Sequence, residues 1–524
     1  SLMRVSLHQI NNRKILRNFK HLITKSNTKV LDICSLIIAA LITLPIVNFL
    51  KEGFEIILNG NFSIGLTGKE EIIGTIKILI LISLIGGGLG IINAWLLSNC
   101  NFKFRKILRI IQLIPLASPA YLVTGTLQDL GSIYGYQITG FWWGVLIISI
   151  STYPYVFILT NESFNKFGLN QILASRGLGV GPWKSFLRIA LPMSLPSLAI
   201  GISLMCMEAM NELGTFKLLN IPTISTGIEE NWIIEGDLNS GIGLALIALI
   251  IIFSVLIIEK FSRKRSKRWS ENPSISISQG WELDGIRAFM AIIFATFPAI
   301  FSLGIPLIWV VLNIDQIPQG FDEDLLFLTL RTLGLGAGTA FLAIIFSLLL
   351  SLSKRWNKSI ILQITSFLAG IGYSIPGTVI AIFMLTVINN PDYYIYLMMW
   401  GYITRFLTIS KGSIDSALER ISPSIDEAAT GLGANNFRVI KEVHIPLLKG
   451  PALVGTLLVF IDTIKELPVS FLIRPFDFET LSVRIYQYAD DGRLGSAIIP
   501  AILITILGLI ASSTLIPSLE KKNN

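Results

Sequence analysis

The chain has 524 residues, of which 52% are hydrophobic and only 15% are charged, and its mean hydropathy is +0.67. Soluble domains carry roughly a quarter charged residues, so this composition excludes an ordinary soluble protein and indicates an integral membrane protein. The formal charge of +8 does not require a nucleic-acid partner, because the basic residues follow a membrane pattern rather than forming one patch.

About twelve apolar runs are long enough to cross a hydrocarbon core, for which roughly 18 residues suffice. We therefore predict an all-α integral membrane fold of about twelve transmembrane helices. In chain order the runs lie near residues 30–50, 72–97, 108–127, 141–160, 190–213, 240–258, 288–312, 326–352, 360–388, 394–411, 446–467 and 495–516.

Charged residues are distributed unequally on the two sides of this arrangement. Lys and Arg collect before Val30, after the second, sixth and eighth spans, and at the end of the chain. The opposite loops are acidic near Glu70, Glu229, Asp322 and Asp490. Because basic loops stay in the cytoplasm, this asymmetry predicts a multi-pass protein with both termini cytoplasmic.

A polar, basic and serine-rich segment divides the spans into two groups of six, which predicts two halves joined by a cytosolic linker. An even number of spans gives both halves the same orientation, so we expect a pseudo-two-fold axis along the membrane normal. The predicted parts are a cytosolic tail (1–29), a first half (30–258), the linker (259–287), a second half (288–516) and a final tail (517–524).

Each half contains a long charged loop, at 161–190 and 412–445, which must face water. The loops carry related sequences, LASRGLGVGPWKSFLRIALPMSLPS and EAATGLGANNFRVIKEVHIPLLKGP. A shift of 254 residues superimposes four positions on their counterparts: Gly177, Leu178, Gly179 and Pro192 fall on Gly431, Leu432, Gly433 and Pro446. The pattern predicts a short helix, a glycine break, and a second helix that ends at the proline. A docking element for a cytosolic partner explains the matched spacing, whereas a solvated connector does not.

The EAATGLG string with its later proline resembles the coupling-helix motif of permease subunits in ATP-binding-cassette importers. Four longer strings resemble the fused permeases of bacterial ferric-iron importers: YPYVFILTNESF, NELGTFKLLNIPTISTGIEENW, GYSIPGTVIA and KELPVSFLIRPFDFETLSVRIYQYADDGRLGSAIIPA. The resemblance covers the chain from about Thr75 to the twelfth span. It implies a type I importer fold in the bacterial inner membrane, with Fe³⁺ as the cargo.

The resemblance also implies the partners. Two copies of a cytosolic ATPase would bind ATP and Mg²⁺, a periplasmic ferric-binding protein would deliver the cargo, and this chain would be neither an enzyme nor a cofactor-binding protein. Consistent with this division of labour, the sequence has no glycine-rich phosphate loop. By resemblance the residues that contact the ATPase are Ala174, Gly177, Gly179, Glu427, Ala428, Gly431 and Gly433. The first loop departs from the motif, because Leu173 stands where Glu is expected and Arg176 follows.

Charged residues inside spans usually line a cavity or pair with one another. The fifth span holds Glu208 and Glu212, and the shift of 254 places them on Asp462 and Glu466 of the eleventh. Residues four apart share one helical face, so these carboxylates are candidates for the translocation path. Hard cations prefer oxygen ligands, and conduction needs weak binding, so no stable metal site is expected. The alternatives are neutralisation by Lys465, contact with the delivery protein, or helix packing.

The outer loops offer a second candidate surface. Asp490, Asp491 and Arg493 belong to the strings that carry the resemblance and are candidates for docking the binding protein. These residues have two other interpretations: they are ordinary solvated loop residues, or the acids pair with Arg474 and Arg484. For the whole chain the alternatives are a permease for thiamine or another small cation, and a secondary transporter or channel.

Overall fold

The computed structural model describes residues 29–166, 174–266, 280–320, 324–357, 359–419, 421–513 and 516. Within these ranges the chain is helical apart from turns and two short strands, β1 (Cys100–Asn101) and β2 (Trp281–Glu282), which pair in parallel. Several predicted features lie outside the described residues: most of the N-terminal tail, Leu173, the middle of the linker, Asp322 and the final tail.

Nineteen helices are distinguished within the described ranges. In chain order they are α1 (Lys29–Leu58), α2 (Gly68–Asn99), α3 (Arg105–Ile111), α4 (Ala120–Ile133), α5 (Phe141–Lys166), α6 (Pro182–Asn211), α7 (Gly214–Leu218), α8 (Ile224–Glu229), α9 (Leu238–Ser266), α10 (Gly285–Leu312), α11 (Leu325–Trp356), α12 (Ile360–Ala369), α13 (Gly377–Val387), α14 (Tyr394–Glu419), α15 (Pro423–Gly431), α16 (Asn436–Lys465), α17 (Pro468–Ile473), α18 (Leu481–Asp490) and α19 (Ile498–Ser513).

The helices confirm the predicted all-α membrane fold. Eight of the helices in the described ranges are long and apolar enough to cross a membrane: α1, α2, α5, α6, α9, α10, α11 and α16. A ninth candidate is Arg105–Leu116 followed by α4, and these two pieces meet at an angle of 88°. The other predicted runs coincide with α12 and α13, with α14, and with α19. All twelve runs therefore correspond to helices or broken pairs of helices.

Proline causes the breaks in the third and ninth runs. The apolar residues alone predict both runs as continuous. Pro119 and Pro376 precede α4 and α13 with ψ angles of 142° and 145°, far from helical values. A proline lacks the N–H that would continue the helical hydrogen bonds, so each run becomes two shorter helices.

The predicted end of a helix at Pro446 is wrong. A π turn at Ile440–His444 precedes this proline, and the Ile445 N–H bonds to the Ile440 carbonyl five residues back. The wider turn accommodates the missing N–H of the proline, and α16 continues to Lys465. A second π turn lies at Phe186–Ala190, before Pro192, so α6 also continues through its proline.

The internal repeat is visible in local geometry as well as in the sequence. The Thr75 hydroxyl accepts a hydrogen bond from the Ile224 N–H at 2.8 Å, and the Thr332 hydroxyl accepts one from the Leu481 N–H at 3.0 Å. Both members of the second pair lie 257 residues after those of the first. Each threonine thus fixes the start of a short helix against a long one in the same way in both repeats.

The chain forms two compact units. The smaller comprises 29–47, Ala337–Tyr373 and Tyr402–Phe460, and its core contains Leu352, Ile414, Ala417, Leu418 and Leu448. The larger comprises 48–336, Ser374–Gly401 and the described residues from Ile461 onward. Its core surrounds Tyr121, Trp309, Leu467 and Tyr486.

Many apolar side chains of the long helices face outward. Only 28% of the most apolar stretch of α1 and 39% of that of α2 is buried within the protein. Ile80 and Leu84 of α2 are among the exposed residues. An apolar surface of this extent is unfavourable in water and favourable in lipid, so the protein is a multi-pass membrane protein.

Candidate functional site

The two matched loops end their first helices in the same way. Gly179 and Gly433 have φ angles of +73° and +86°, the left-handed region that glycine adopts without steric cost. In each loop the residue after this glycine bonds back five positions, with N···O distances of 3.0 Å for Val180 to Ser175 and 3.1 Å for Ala434 to Ala429. This is a Schellman motif, which terminates a helix at a left-handed residue. We call residues 174–180 and 428–434 the first and second glycine turns.

The earlier glycine of each turn has no such backbone requirement. Gly177 and Gly431 do not have positive φ angles, and a Cβ atom at either position would meet no atom within 4 Å. The other predicted contact residues, Ala174, Glu427 and Ala428, are likewise exposed. The fold of this chain therefore does not explain these two glycines, whereas close approach of another molecule would.

The sequence aligns Leu178 with Leu432, but it does not predict that apolar side chains beside the glycines are exposed. Leu178 is 83% exposed and Leu432 is 90% exposed, and they occupy the same place in the two turns. Trp183 and Phe437 form a second matched pair, 53% and 72% exposed. The shift of 254 relates both pairs and was the available signal. After the second turn, Val439 is buried, whereas Phe437 is exposed.

Two of the four carboxylates predicted to share helical faces lie instead at helix ends. Because α6 ends at Asn211 and α16 at Lys465, Glu212 and Glu466 fall just beyond the helices. Glu466 accepts hydrogen bonds from the Val469 N–H at 2.8 Å and from the Ser470 N–H at 3.1 Å, so it caps α17.

Glu212 has the same role in the first repeat, where it accepts from the Thr215 N–H at 2.9 Å in α7. A carboxylate is favourable at the positive end of a helix, which gives both residues a structural function.

Asn211, next to Glu212, accepts a hydrogen bond from the Gly377 N–H at 2.8 Å. A Cβ atom at Gly377 would lie 2.9 Å from the Glu466 carboxylate. The start of α13 and both carboxylate ends therefore meet in the larger unit.

The remaining two carboxylates are partly exposed. Glu208 is half-buried, and the Asp462 side chain is 28% exposed. Lys465 Nζ lies 4.0 Å from Asp462 Oδ1 and donates a hydrogen bond to the Leu116 carbonyl at 2.7 Å. Within the described ranges, no three His, Cys, Asp or Glu side chains converge in a way that would hold a metal ion.

The residues predicted to dock the binding protein line a polar cavity of about 510 Å³ in the larger unit. Its walls are Asp324, Phe471, Glu479, Arg484, Tyr486, Gln487, Tyr488, Asp490, Asp491 and Arg493. Four carboxylates thus face two guanidinium groups. Arg493 pairs with Asp491 at 2.9 Å, while Arg484 pairs with Glu479. Among the described residues, no cation forms an ion pair with Asp324 or Asp490, so the cavity has excess negative charge.

Tyr486 contributes a buried polar group to this cavity. Its hydroxyl is buried and has no hydrogen-bond partner among the described residues. Burial, together with the nearby charges of Asp490 and Glu229, raises the pKa of Tyr486 well above its ordinary value. The phenol therefore stays protonated.

Comparison with known proteins gives consistent matches. Residues 86–267 match the model of the binding-protein-dependent transport system inner membrane component. The chain is 21% identical over 449 residues to the Fe(3+)-transport system permease protein FbpB 2 of Haemophilus influenzae, which covers 83% of this chain and 87% of that protein.

Two shorter permeases of Escherichia coli K12 also match. The molybdenum transport system permease ModB is 27% identical over 38% of this chain and 96% of its own length. The sulfate transport system permease CysT is 26% identical over 25% of this chain and 52% of its own length. ModB aligns along nearly its whole length with little more than a third of this chain, as expected where two such units are fused.

Proposed function

We propose that this chain couples ATP hydrolysis by partner subunits to the import of Fe³⁺. The premise is that it belongs to the inner-membrane permeases of binding-protein-dependent transport systems. The observation that carries the proposal is the pair of glycine turns, which present the same backbone and the same exposed apolar residues 254 positions apart. A secondary transporter or channel has no need for two such turns.

Each glycine turn suits one copy of a cytosolic ATPase. Leu178 and Leu432 project from the turns, and the adjacent glycines leave room for another chain to approach. Burying a leucine side chain contributes about 1.5–3 kcal/mol, enough to make each residue important for affinity. Two matched turns therefore imply two ATPase copies, on the side of the membrane where both termini lie under the orientation predicted from the basic loops.

The helices connect each turn to a carboxylate end. The 30-residue helix α6 begins just after the first glycine turn and ends next to Glu212, and the 30-residue helix α16 joins the second turn to Glu466. At about 1.5 Å per residue, each helix spans roughly 45 Å. A displacement of the turn by ATPase closure would therefore reach the other end of the same helix and alter access between the two sides.

The charges favour a cation as cargo. Glu208, Glu212, Asp462 and Glu466 would repel an oxyanion, although the relatives include permeases named for sulfate and molybdenum. The relative that matches most of this chain is named for Fe(3+), a hard cation that prefers oxygen ligands. Thiamine or another small cation stays the alternative cargo, because the same carboxylates would also tolerate it.

A periplasmic ferric-binding protein would dock at the cavity lined by Asp490, Asp491 and Arg493. The excess negative charge there suits a basic surface on the delivery protein. We expect Asp490→Asn to weaken binding of that protein, and more so at low ionic strength, without changing affinity for the ATPase. Surface binding measurements at two salt concentrations test this, and unchanged binding at both would exclude the cavity as the docking site.

Co-purification with the ATPase tests the cytosolic half of the proposal. Gly431→Asp puts a bulky charge into the second glycine turn, where a close partner leaves no space for it. We expect this variant to fold normally and to lose most of the bound ATPase. The matched control is Asn61→Asp, which adds a carboxylate to an exposed loop on the predicted outer side. Equal recovery of the ATPase with both variants would contradict docking at the turns.

A further inference from the structure

A buried charged cluster lies directly beneath the second glycine turn. Arg355 Nε donates to Asp426 Oδ2 at 2.7 Å, and Trp356 Nε1 donates to the same oxygen at 3.1 Å. His444 Nε2 lies 3.1 Å from the other oxygen, Asp426 Oδ1. We call these four residues the Asp426 junction.

The junction joins four helices of the smaller unit. Arg355 and Trp356 end α11, Asp426 lies in α15 before the glycine turn, and His444 lies in the π turn of α16. Arg355 also donates through its two terminal nitrogens to the carbonyls of Leu418 in α14, at 2.8 Å, and Ile421, at 2.9 Å. Five polar contacts thus converge on the base of one turn.

The surroundings make the junction resistant to rearrangement. The His444 side chain is fully buried, and those of Arg355 and Asp426 are only 13% and 12% exposed. Leu352, Leu418 and Leu448 form the apolar core beside it. Removing one partner of a buried ion pair leaves an uncompensated charge, which is strongly unfavourable. A displacement of the second turn therefore has to carry the ends of α11 and α16 with it.

The first glycine turn has no equivalent at the same positions. The shift of 254 places Ile172 opposite Asp426 and Ala190 opposite His444, so neither charged partner is present there. At the first turn, the Ser175 and Ser185 hydroxyls bond to each other, and the Arg176 guanidinium lies 6.0 Å from the Trp281 ring centre. Of the two aligned sites, the second therefore carries the Asp426–His444 pair.

We propose that Asp426 is a positioning residue that fastens the second glycine turn to α11 and α16, so that movement of the ATPase at this turn is transmitted to both helices. This inference rests on the proposed function. It adds to that function a residue that transmits the movement without touching the ATPase or the cargo.

The test uses the full chain with its ATPase and binding protein in proteoliposomes, and measures Fe³⁺ imported per ATP hydrolysed. Asp426→Asn removes the charge, and we expect the ATPase to remain bound and active while import per ATP falls about tenfold, a typical size for coupling between two sites. The control Glu442→Gln removes a nearby acid from an exposed pair with Arg438, and should change nothing.

A further variant separates coupling from stability. Arg355→Lys keeps the charge but cannot form the forked contacts, so the complex should assemble while import per ATP falls.

Two results would overturn the inference. Asp426→Asn and Arg355→Lys with unchanged import per ATP would exclude a role in transmission. A loss of thermal stability and ATPase binding in Asp426→Asn, with Arg355→Lys fully coupled, would make the junction structural only. Absence of ATP-dependent import by the unaltered protein would instead overturn the proposed function, and this inference with it.

Discussion

At the scale of single residues, the two glycines of each turn have different reasons to be glycine. Gly433 holds a left-handed backbone that closes the helix, whereas Gly431 has a free Cβ position and no positive φ. The sequence shows the pair and its spacing but not this division, because the left-handed conformation depends on where the helix ends. The first role belongs to the fold, and we assign the second to the partner.

Alanine substitutions distinguish these roles. A left-handed alanine costs about 1 kcal/mol, so Gly433→Ala should lower the stability of the detergent-solubilised protein by that amount. Gly431→Ala should leave stability equal or slightly higher, because alanine favours the helix, and should still weaken ATPase binding. Thermal unfolding and ATPase titration measure the two effects. Equal destabilisation by both substitutions would contradict the assignment.

Glu466 provides a second prediction at this scale. Glu466→Ala would leave two buried backbone N–H groups of α17 without an acceptor, so we expect a loss of about 2 kcal/mol in stability. Glu212→Ala removes the Thr215 N–H bond at a half-buried residue and should cost about 1 kcal/mol. Equilibrium unfolding of both variants tests this order, and the reverse order would contradict the capping assignment.

At the scale of helices and turns, the apolar runs predict the spans well because hydrophobicity decides where a chain crosses lipid. The interruptions are harder to foresee. Pro119 and Pro376 break their runs, whereas Pro192 and Pro446 are absorbed by a preceding π turn. All four are prolines in apolar sequence. Whether the helix breaks or continues depends on whether a π turn forms before the proline, and the residues next to the proline do not reveal this.

The exposed leucines of the turns give a prediction at this scale. Leu432→Ala removes a side chain that is 90% exposed in this chain, so its stability should not change. If the ATPase buries this residue, its affinity should fall roughly tenfold or more, from the 1.5–3 kcal/mol of a buried leucine. Phe476→Ala is the control, since Phe476 is 95% exposed on the predicted opposite side. A similar fall for the control would contradict docking through Leu432.

At the scale of the whole molecule, ATPase docking, long continuous helices and carboxylate ends would act together as one transport unit. The fold class was predictable, since composition is a property of the whole chain, and the organisation in two halves stays a prediction from internal similarity. The capping roles of Glu212 and Glu466 were not predictable, because they depend on helices ending one residue earlier than the four-residue spacing suggests.

The partly exposed carboxylates test the cation path. Glu208→Gln together with Asp462→Asn should lower Fe³⁺ import several-fold while ATPase binding and unfolding temperature stay unchanged, because weak contacts to a passing cation are lost without a structural cap. Transport rates and thermal unfolding of the double variant provide the comparison. Unchanged import would place the path away from these residues.

The most direct measurement of the central claim is uptake into proteoliposomes that contain the protein, its ATPase and its binding protein. Labelled Fe³⁺, thiamine, sulfate and molybdate are compared with and without ATP, and with Gly431→Asp in place of the unaltered chain. We predict that Fe³⁺ accumulates only with ATP and ATPase, and that Gly431→Asp abolishes this uptake. Uptake that persists without the ATPase, or accumulation of an oxyanion or thiamine in place of iron, would contradict it.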